Sequence, residues 1–249
     1  MSRQRDLIDM MESPLFHGFS EKECKEIHAF VKPARVSYRK KQTLLPQGEP
    51  VSQLSILTKG KVVGIRYYYG GDSHILRIFH PGEILSLEAA MSSFYKTPIA
   101  IFADEASETL SFSLQRLMSR HLLEEEVRMA LRQNLLRILA DENIRLIYKT
   151  EVLSQKVLRD RIMIFLRIMT EKKGKEAFFI GMNQDQFAQY LCVNRSSLSS
   201  ELNAMRKEGL IDYRRDYYRI LEKGRIIHID GDTENNVIPE EEMGLALSE

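Results

Sequence analysis

NQDQFAQYLCVNRSSLSSELNAMRKEG, the stretch from residue 183 to residue 209, predicts two short helices joined by a tight turn. Asn183 with Gln186 three residues later is typical of a capped helix start, and Asn194 predicts a second start. Cations in the last turn of the second helix and Gly209 after them indicate where that helix ends. The whole pattern is typical of a helix-turn-helix.

The second of these helices has two different faces. Leu198, Leu202 and Met205 recur at the spacing of an apolar inner face. The opposite face carries short or bidentate hydrogen-bonding groups, which can reach the edges of bases in a DNA major groove. We therefore predict DNA contacts from the following residues of this segment: Asn194, Arg195, Ser196, Ser197, Ser199, Ser200 and Asn203.

A basic hairpin is predicted directly after the helix-turn-helix. Residues 210–213 and 217–221 are rich in strand-forming side chains, with Arg214, Arg215 and Asp216 between them. Residues 195–225 hold eight Lys or Arg and five Asp or Glu. A hairpin in this place is typical of a winged helix, in which Arg214 and Arg215 would bind DNA phosphates. The alternative is a solvated charged hairpin without a DNA contact.

The composition limits the possible partners and compartments. The chain has 249 residues, 43% of them hydrophobic, which suffices for one large or two ordinary domains. Its net charge of +1 means that any basic surface is local. Two cysteines, Cys24 and Cys192, fit a reducing cytosol and cannot hold an iron–sulfur cluster alone. We see no signal peptide and no membrane-spanning run, so we expect a cytoplasmic protein without a metal or a membrane partner.

Short strands and then long helices precede the helix-turn-helix. Residues 36–113 contain several strand-like runs separated by turns, which predict an antiparallel roll or barrel. A helical region without Pro or Gly follows from about residue 115 to 148, with Leu131, Leu135 and Ile138 along one seam. A helix of ~30 residues is ~45 Å long, so part of it is expected to pack on a second copy. Packing within one chain is the alternative.

The predicted fold class is therefore α+β. An N-terminal antiparallel β-roll of residues 1–114 would sense an effector, and a long dimerisation helix would span residues 115–149. A separate helix from Thr150 to Gly174 would open a C-terminal winged helix-turn-helix of residues 150–230. Residues 231–249 carry six acids and no Lys or Arg, and we expect them to form a flexible acidic tail.

Four stretches of the chain resemble the CRP/FNR family of bacterial transcription regulators: PLFHGFSEKECKEI, LLPQGEPVSQLSILTKGKVVGI, ILRIFHPGEIL and FAQYLCVNRSSLSSELNAMRKEGLI. The resemblance covers about residues 14–225. It implies a homodimer on a two-fold-symmetric DNA site, a small effector bound in the roll, and RNA polymerase as a partner. Ser196 and Ser200 stand where many members have Glu and Arg, so the preferred DNA site is expected to differ from theirs.

The resemblance also places the effector. Cyclic-nucleotide binders of the family carry Gly-Glu-Leu after a Pro-Gly turn, and then Arg followed by Ser or Thr. Here the carboxylate is displaced by one residue, and a lysine replaces the arginine, which removes the guanidinium fork. We therefore expect an unknown small effector other than cyclic AMP or cyclic GMP. The expected contacts are Ser86, Leu87, Glu88, Lys96 and Thr97, with Asn134 of the long helix facing the same cavity.

Two other functions fit parts of the sequence. A ligand-binding regulatory subunit without DNA contact would use residues 183–225 as a protein-interaction surface. A metal-dependent enzyme of the cupin type would need a His-x-His cluster, which His74 and His80, six residues apart, do not form. We find no catalytic motif, and the prediction is that the protein is not an enzyme.

Overall fold

The computed structural model describes residues 2–71, 73–119 and 124–221. The predicted acidic tail and the cations Lys223 and Arg225 lie outside these residues. The helices are α1 Ser2–Met11, α2 Glu21–Val31, α3 Leu87–Met91, α4 Leu114–Leu117, α5 Glu125–Ser154, α6 Leu158–Lys173, α7 Gln184–Tyr190 and α8 Arg195–Lys207. The strands are β1 Ala34–Tyr38, β2 Thr43–Leu45, β3 Gln53–Lys59, β4 Val62–Tyr67, β5 Ser73–Phe79, β6 Ile84–Leu85, β7 Ala100–Ala103, β8 Ser107–Ser113, β9 Ala177–Phe179, β10 Ile211–Arg214 and β11 Tyr217–Ile220.

The N-terminal strands form the predicted antiparallel roll. One sheet has the order β1-β8-β3-β6 and the other has the order β2-β7-β4-β5. Because side chains alternate along a strand, the first sheet has two different faces. The face that points away from the second sheet is covered by α2 and α5. It contributes four apolar side chains to the largest core cluster: Leu54, Ile56, Leu110 and Phe112. The opposite face looks toward the second sheet across a smaller core that includes Leu57, Phe79 and Ile101.

The long helix differs from its predicted bounds at both ends. After β8 the described residues form the short helix α4, and α5 runs from Glu125 to Ser154. The predicted helix from Thr150 therefore begins later, at Leu158. The interruption is held by tertiary contacts, since the Arg161 guanidinium donates to the carbonyls of Gln155 and Leu191 at 2.8 Å and 3.1 Å. Local sequence carries no sign of such a contact.

The seam predicted on this helix packs within the chain. Leu131 and Leu135 are almost completely buried in the core cluster that α5 shares with the roll, and Ile138 packs against it. A different set of apolar side chains is exposed on the opposite side of the helix, including Met129 and Leu136, which are 60% and 67% exposed. The helix therefore uses one face for the roll and leaves another apolar face uncovered.

The C-terminal elements form the predicted winged helix-turn-helix. Helices α6, α7 and α8 enclose a second core around Leu166, Phe187, Leu198 and Leu202. The sheet beside them has the order β10-β11-β9. Tyr218 of β11 is fully buried in this core, and burial of its ring raises the pKa of its hydroxyl.

Candidate nucleic-acid interface

Local hydrogen bonds cap the N-termini of both helices of the helix-turn-helix, as the sequence predicts. The side chain of Asn183 accepts from the Gln186 amide at 2.9 Å, and the Gln186 side chain accepts from the Asn183 amide at 3.1 Å. Asn194 caps α8 by accepting from the Ser197 amide at 2.8 Å. Cys192 occupies the turn between the helices with φ +57°, a left-handed conformation that non-glycine residues rarely adopt.

Helix α8 has the two faces that its sequence predicts. Leu198, Leu202 and Met205 are fully buried. The outward face is polar: Asn194, Arg195, Ser196, Ser197, Ser200 and Asn203 are exposed, and Ser199 is half-buried. The structure therefore brings the predicted DNA-contacting residues of this helix onto one solvent-facing surface.

Several of these side chains have a first partner and keep bonding capacity for a second. The Arg195 guanidinium lies 3.4 Å from the Asp185 carboxylate, but both groups are more than half exposed, so this pair is weak and separable. The Ser196 hydroxyl donates to Asn194 at 2.7 Å and keeps its acceptor lone pairs. Asn203 accepts from the Tyr213 hydroxyl at 3.0 Å, which leaves its amide NH2 group, a double donor, for another partner.

One arginine of a neighbouring helix pairs with two acidic residues, one on α8 and one at its C-terminal cap. Arg159 of α6 bonds to Glu201 at 2.7 Å and to Glu208 at 2.6 Å. These hydrogen bonds raise the pKa of the Arg159 guanidinium. The pairing turns both carboxylates toward α6, which reduces the negative charge that a polyanion would meet at this helix.

The hairpin supplies two exposed cations, although its turn is shorter than predicted. Arg214 lies inside β10 and pairs with Tyr217 of β11, so only Arg215 and Asp216 form the turn. The prediction that Arg214 lies between the strands is therefore wrong. Arg215 adopts the left-handed region with φ +58°, the backbone twist that two-residue hairpin turns require. In the described part of the chain, no acid forms an ion pair with either arginine.

The roll holds the helix-turn-helix through a polar junction that sequence reasoning missed. The Lys61 ammonium donates to the Gly181 carbonyl and to the Gln186 side chain, both at 3.0 Å. Gln186 in turn donates to Asp104 at 2.8 Å. A cavity of about 620 Å³ lies beside this junction, between Lys61, Arg195 and Arg215. The junction thus joins the roll to the start of α7, next to the residues predicted to contact DNA.

A buried lysine of α5 completes this contact between the domains. Lys149 donates to the carbonyls of Ile75 and Leu76 in β5 at 3.2 Å and 3.1 Å. Its ammonium also lies 4.3 Å from the centre of the Tyr190 ring in α7. Burial lowers the pKa of Lys149 to about 8, because desolvation disfavours the charged form.

The residues predicted to contact an effector lie in two neighbouring segments of the roll. Ser86 is buried in a left-handed conformation, and its hydroxyl has no hydrogen-bond partner. Leu87 is fully buried, whereas Glu88 bonds to Arg77 at 2.8 Å. On the second segment Lys96 is exposed, and the hydroxyl of the buried Thr97 donates to the Ile99 carbonyl at 2.8 Å.

Asn134 does not face the cavity in which the sequence analysis expected it. Its side-chain amide donates to the carbonyls of Leu15 and His17, both at 2.9 Å. The Leu15 carbonyl lies within the short 3-10 helix Pro14–Phe16, and the His17 carbonyl directly follows that helix, so the amide satisfies backbone acceptors at its end. Asn134 therefore positions the N-terminal segment on α5.

Arg77 is a site residue that the sequence analysis missed. Its guanidinium is 7% exposed, bonds to Glu88 of α3, forms an ion pair with Glu142 of α5, and lies 4.2 Å from the centre of the Phe79 ring. Burial lowers its pKa, which the nearby carboxylates oppose. The sequence did contain a signal for this role. Arg77 shares one face of β5 with the apolar Ile75 and Phe79, and a cation on a buried face needs a partner. Arg77 connects the predicted effector segment to the long helix.

Comparisons with known proteins agree with this arrangement. The cyclic nucleotide-binding domain model matches residues 35–121, and the Crp-like helix-turn-helix domain model matches residues 160–228. A search of curated protein sequences finds no match. In the described ranges, no helix is long and apolar enough to cross a membrane. The same ranges contain no group of three or more His, Cys, Asp or Glu side chains that could hold a metal ion.

Solved structures share the fold at low sequence identity. FixK2 from Bradyrhizobium japonicum is 16% identical, with a TM-score of 0.62 over 81% of this chain and 99% of that one. A CooA variant from Carboxydothermus hydrogenoformans is 19% identical, with a TM-score of 0.64 over 87% and 91%. The c-di-GMP-responsive regulator CLP from Xanthomonas campestris is 16% identical, with a TM-score of 0.61 over 82% and 100%.

A cyclic-nucleotide-binding-like roll joined by a long helix to a winged helix-turn-helix defines a DNA-binding transcription regulator with an attached sensing domain. The two domain models, in this order, together match more than half of the residues. The chain belongs to the CRP/FNR family of transcription regulators.

Proposed function

We propose that this protein is a cytoplasmic homodimer that binds a two-fold-symmetric DNA site and is controlled by a small effector in the roll. The exposed polar face of α8 is the observation that carries the proposal. Arg195 reads a guanine edge, which a guanidinium can bind with two hydrogen bonds. Asn194, Ser196, Ser197, Ser199, Ser200 and Asn203 contact other bases or phosphates, and Arg214 and Arg215 of the hairpin bind the DNA backbone.

The uncovered face of α5 supports the homodimer. Met129, Leu136 and Ile147 are all at least half exposed. Met129 and Leu136 are seven residues apart, and Ile147 follows Leu136 by eleven. These spacings place all three on one face of the helix, as at the contact positions of a coiled coil. Two copies packed along this seam would present two α8 helices to one duplex, which is why the DNA site should be two-fold symmetric. In this proposal most of the dimerisation helix lies in residues 115–149, between a sensing domain of residues 1–114 and a DNA-binding domain of residues 150–230.

The effector acts near Ser86, Leu87, Glu88, Lys96 and Thr97. Glu88 bonds to Arg77 through one carboxylate oxygen, and Lys96 lacks the guanidinium fork that would bind a cyclic phosphate, which supports an effector other than cyclic AMP or cyclic GMP. A shift of α3 would pull on Arg77 and therefore on Glu142 of the long helix. RNA polymerase is a further proposed partner of the DNA-bound protein. No catalytic or metal-dependent step is part of this proposal.

Selection of binding sites from random double-stranded DNA by the full-length protein tests the proposed function. We expect an enriched sequence with two symmetric halves about one or two helical turns apart. A regulatory subunit without DNA contact would enrich no sequence, and that result would contradict the proposal. A purified protein that retains a stoichiometric transition metal would instead support the metal-dependent alternative.

A further inference from the structure

The inward face of the first sheet of the roll carries hydroxyl groups where a core is expected. Along β8 the outward residues Leu110 and Phe112 are apolar, but the inward Thr109 and Ser111 are polar, and both are buried. Ser55 of the adjacent β3 lies beside them, with its oxygen 2.8 Å from that of Ser111. Facing sheets normally fill the space between them with apolar side chains, since a buried hydroxyl costs free energy unless it is bonded.

These hydroxyls line a cavity of about 230 Å³ between the two sheets. Its other walls include the apolar Leu45 of β2, Leu85 of β6 and Ile101 of β7. The exposed Ser52 and Gln53 and the half-buried Tyr38 add polar groups to the lining. The Thr109 and Ser111 oxygens are 3.3 Å apart. The three hydroxyls thus make two contacts among themselves, which use two of their three protons. One donor and several acceptor lone pairs remain for an occupant.

The lining excludes charged and large ligands. No Lys, Arg, Asp, Glu or His lines the cavity, so an ionised ligand would be buried without a counter-charge, at a high free-energy cost. The volume is also below the roughly 300–1,000 Å³ of sites for drug-sized ligands. An occupant is therefore smaller than a nucleotide and uncharged, with an apolar body and a few hydrogen-bonding groups.

The cavity is connected to the segment predicted to respond to the effector. Pro50 and Val51 form part of its wall, and the Val51 amide donates to the Tyr95 carbonyl at 2.7 Å. The Thr97 amide donates to the Glu49 carbonyl at 3.0 Å. Leu85, another wall residue, directly precedes Ser86. An occupant that displaces these walls would move both segments on which Ser86 and Thr97 lie.

We propose that this hydroxyl-lined cavity is the effector site and that it takes a small uncharged molecule with an apolar body and a hydrogen-bond acceptor. The inference rests on the proposed function, because it takes the roll as the sensing domain. Residues 86–97 then report occupancy to Arg77 and α5 without needing to touch the ligand.

Cyclohexanecarboxamide and cyclohexanecarboxylate are suitable probes, because they share shape and size and differ in charge. Methyl NMR titration of the full-length protein measures binding of each. We expect saturable shifts of the Leu45, Leu85 and Ile101 methyl groups with the amide, and at least about tenfold weaker binding of the carboxylate. Equal affinity for the two probes, no saturable binding, or shifts at methyl groups elsewhere would overturn the proposal.

Thr109→Val tests the hydroxyls while preserving side-chain shape. We expect this variant to bind the amide about fivefold more weakly, the value of one net hydrogen bond. Thr58→Val is the matched control, since the Thr58 hydroxyl bonds outside the cavity to the Glu108 carbonyl. Unchanged amide affinity in Thr109→Val would overturn the proposal. Selection of DNA sites without any probe tests the proposed function separately, so failure of one can be told from failure of the other.

Discussion

The ammonium nitrogen of Lys61 lies 3.0 Å from the side-chain oxygen of Gln186, and this hydrogen bond joins the roll to the first helix of the helix-turn-helix. Gln186 is 5% exposed, and the same side chain completes the cap of α7 and donates to Asp104. Gln186 therefore takes part both in the contact between the roll and the DNA-binding domain and in the start of α7.

Lys61→Ala should loosen this junction. Hydrogen bonds to charged groups contribute ~1.5–3 kcal/mol, so we expect amide hydrogen exchange in α7 to become roughly 10–100-fold faster. Lys59→Ala is the control, because Lys59 is an exposed lysine at the end of β3, two residues before Lys61. Identical exchange of α7 in both variants would show that the Lys61 contacts do not hold the domain.

Arg215→Ala should weaken binding to all DNA sequences by a similar factor. Arg215 lies exposed in the hairpin turn, where it can reach phosphates, which carry no sequence information. The slope of log K against log salt should fall by about one. Lys22→Ala removes the same charge from the exposed side of α2 and should leave the slope unchanged. A loss confined to one DNA sequence would argue against a backbone contact.

Leu136→Glu should convert a dimer into a monomer, because it places a charge in the centre of the uncovered apolar face of α5. Sedimentation equilibrium measures the subunit number directly. Arg137→Glu adds the same side chain one residue further, about 100° around the helix, and should remain dimeric. A wild-type protein that sediments as a monomer at micromolar concentration would rule out the proposed assembly.

Lys149 should make the stability of the protein rise with pH above about 8. The pKa of Lys149 is lowered from 10.5 to about 8 by burial, so between these values the unfolded chain binds more protons than the folded one. The free energy of unfolding should therefore increase by up to about 3 kcal/mol across this window, while below pH 8 the group is charged in both states and adds no slope. Lys149→Met should lack this increase in chemical denaturation. An equal slope in both proteins would contradict the buried, destabilised charge.

Local signals explain which parts of this structure could be predicted from the sequence. The caps at Asn183 and Asn194 act on residues three positions away, and the apolar spacing of α8 is set by one helix alone, so the helix-turn-helix was predictable. The sequence predicted a break after residue 149, but the structure has it at residues 155–157, where Arg161 reaches Gln155 and Leu191. The partners of Asn134 lie more than a hundred residues away in the chain.

The effector region was harder to predict for the same reason. The resemblance placed the effector at Ser86–Thr97, but no pattern within that segment predicts that Glu88 pairs with Arg77 of β5. Apolar and polar residues alternate along β8, so the sequence alone places Thr109 and Ser111 on the face opposite to Leu110 and Phe112. Only the pairing of β8 with β3 brings Ser55 next to them.

Titration of wild-type protein and Arg195→Ala on a selected DNA site and on random DNA, at one salt concentration, tests most directly whether α8 reads sequence. We predict that Arg195→Ala loses ~1–3 kcal/mol of binding free energy on the selected site, tolerates other base pairs at one position, and binds random DNA nearly as well as wild type. An equal loss on both kinds of DNA would contradict the account.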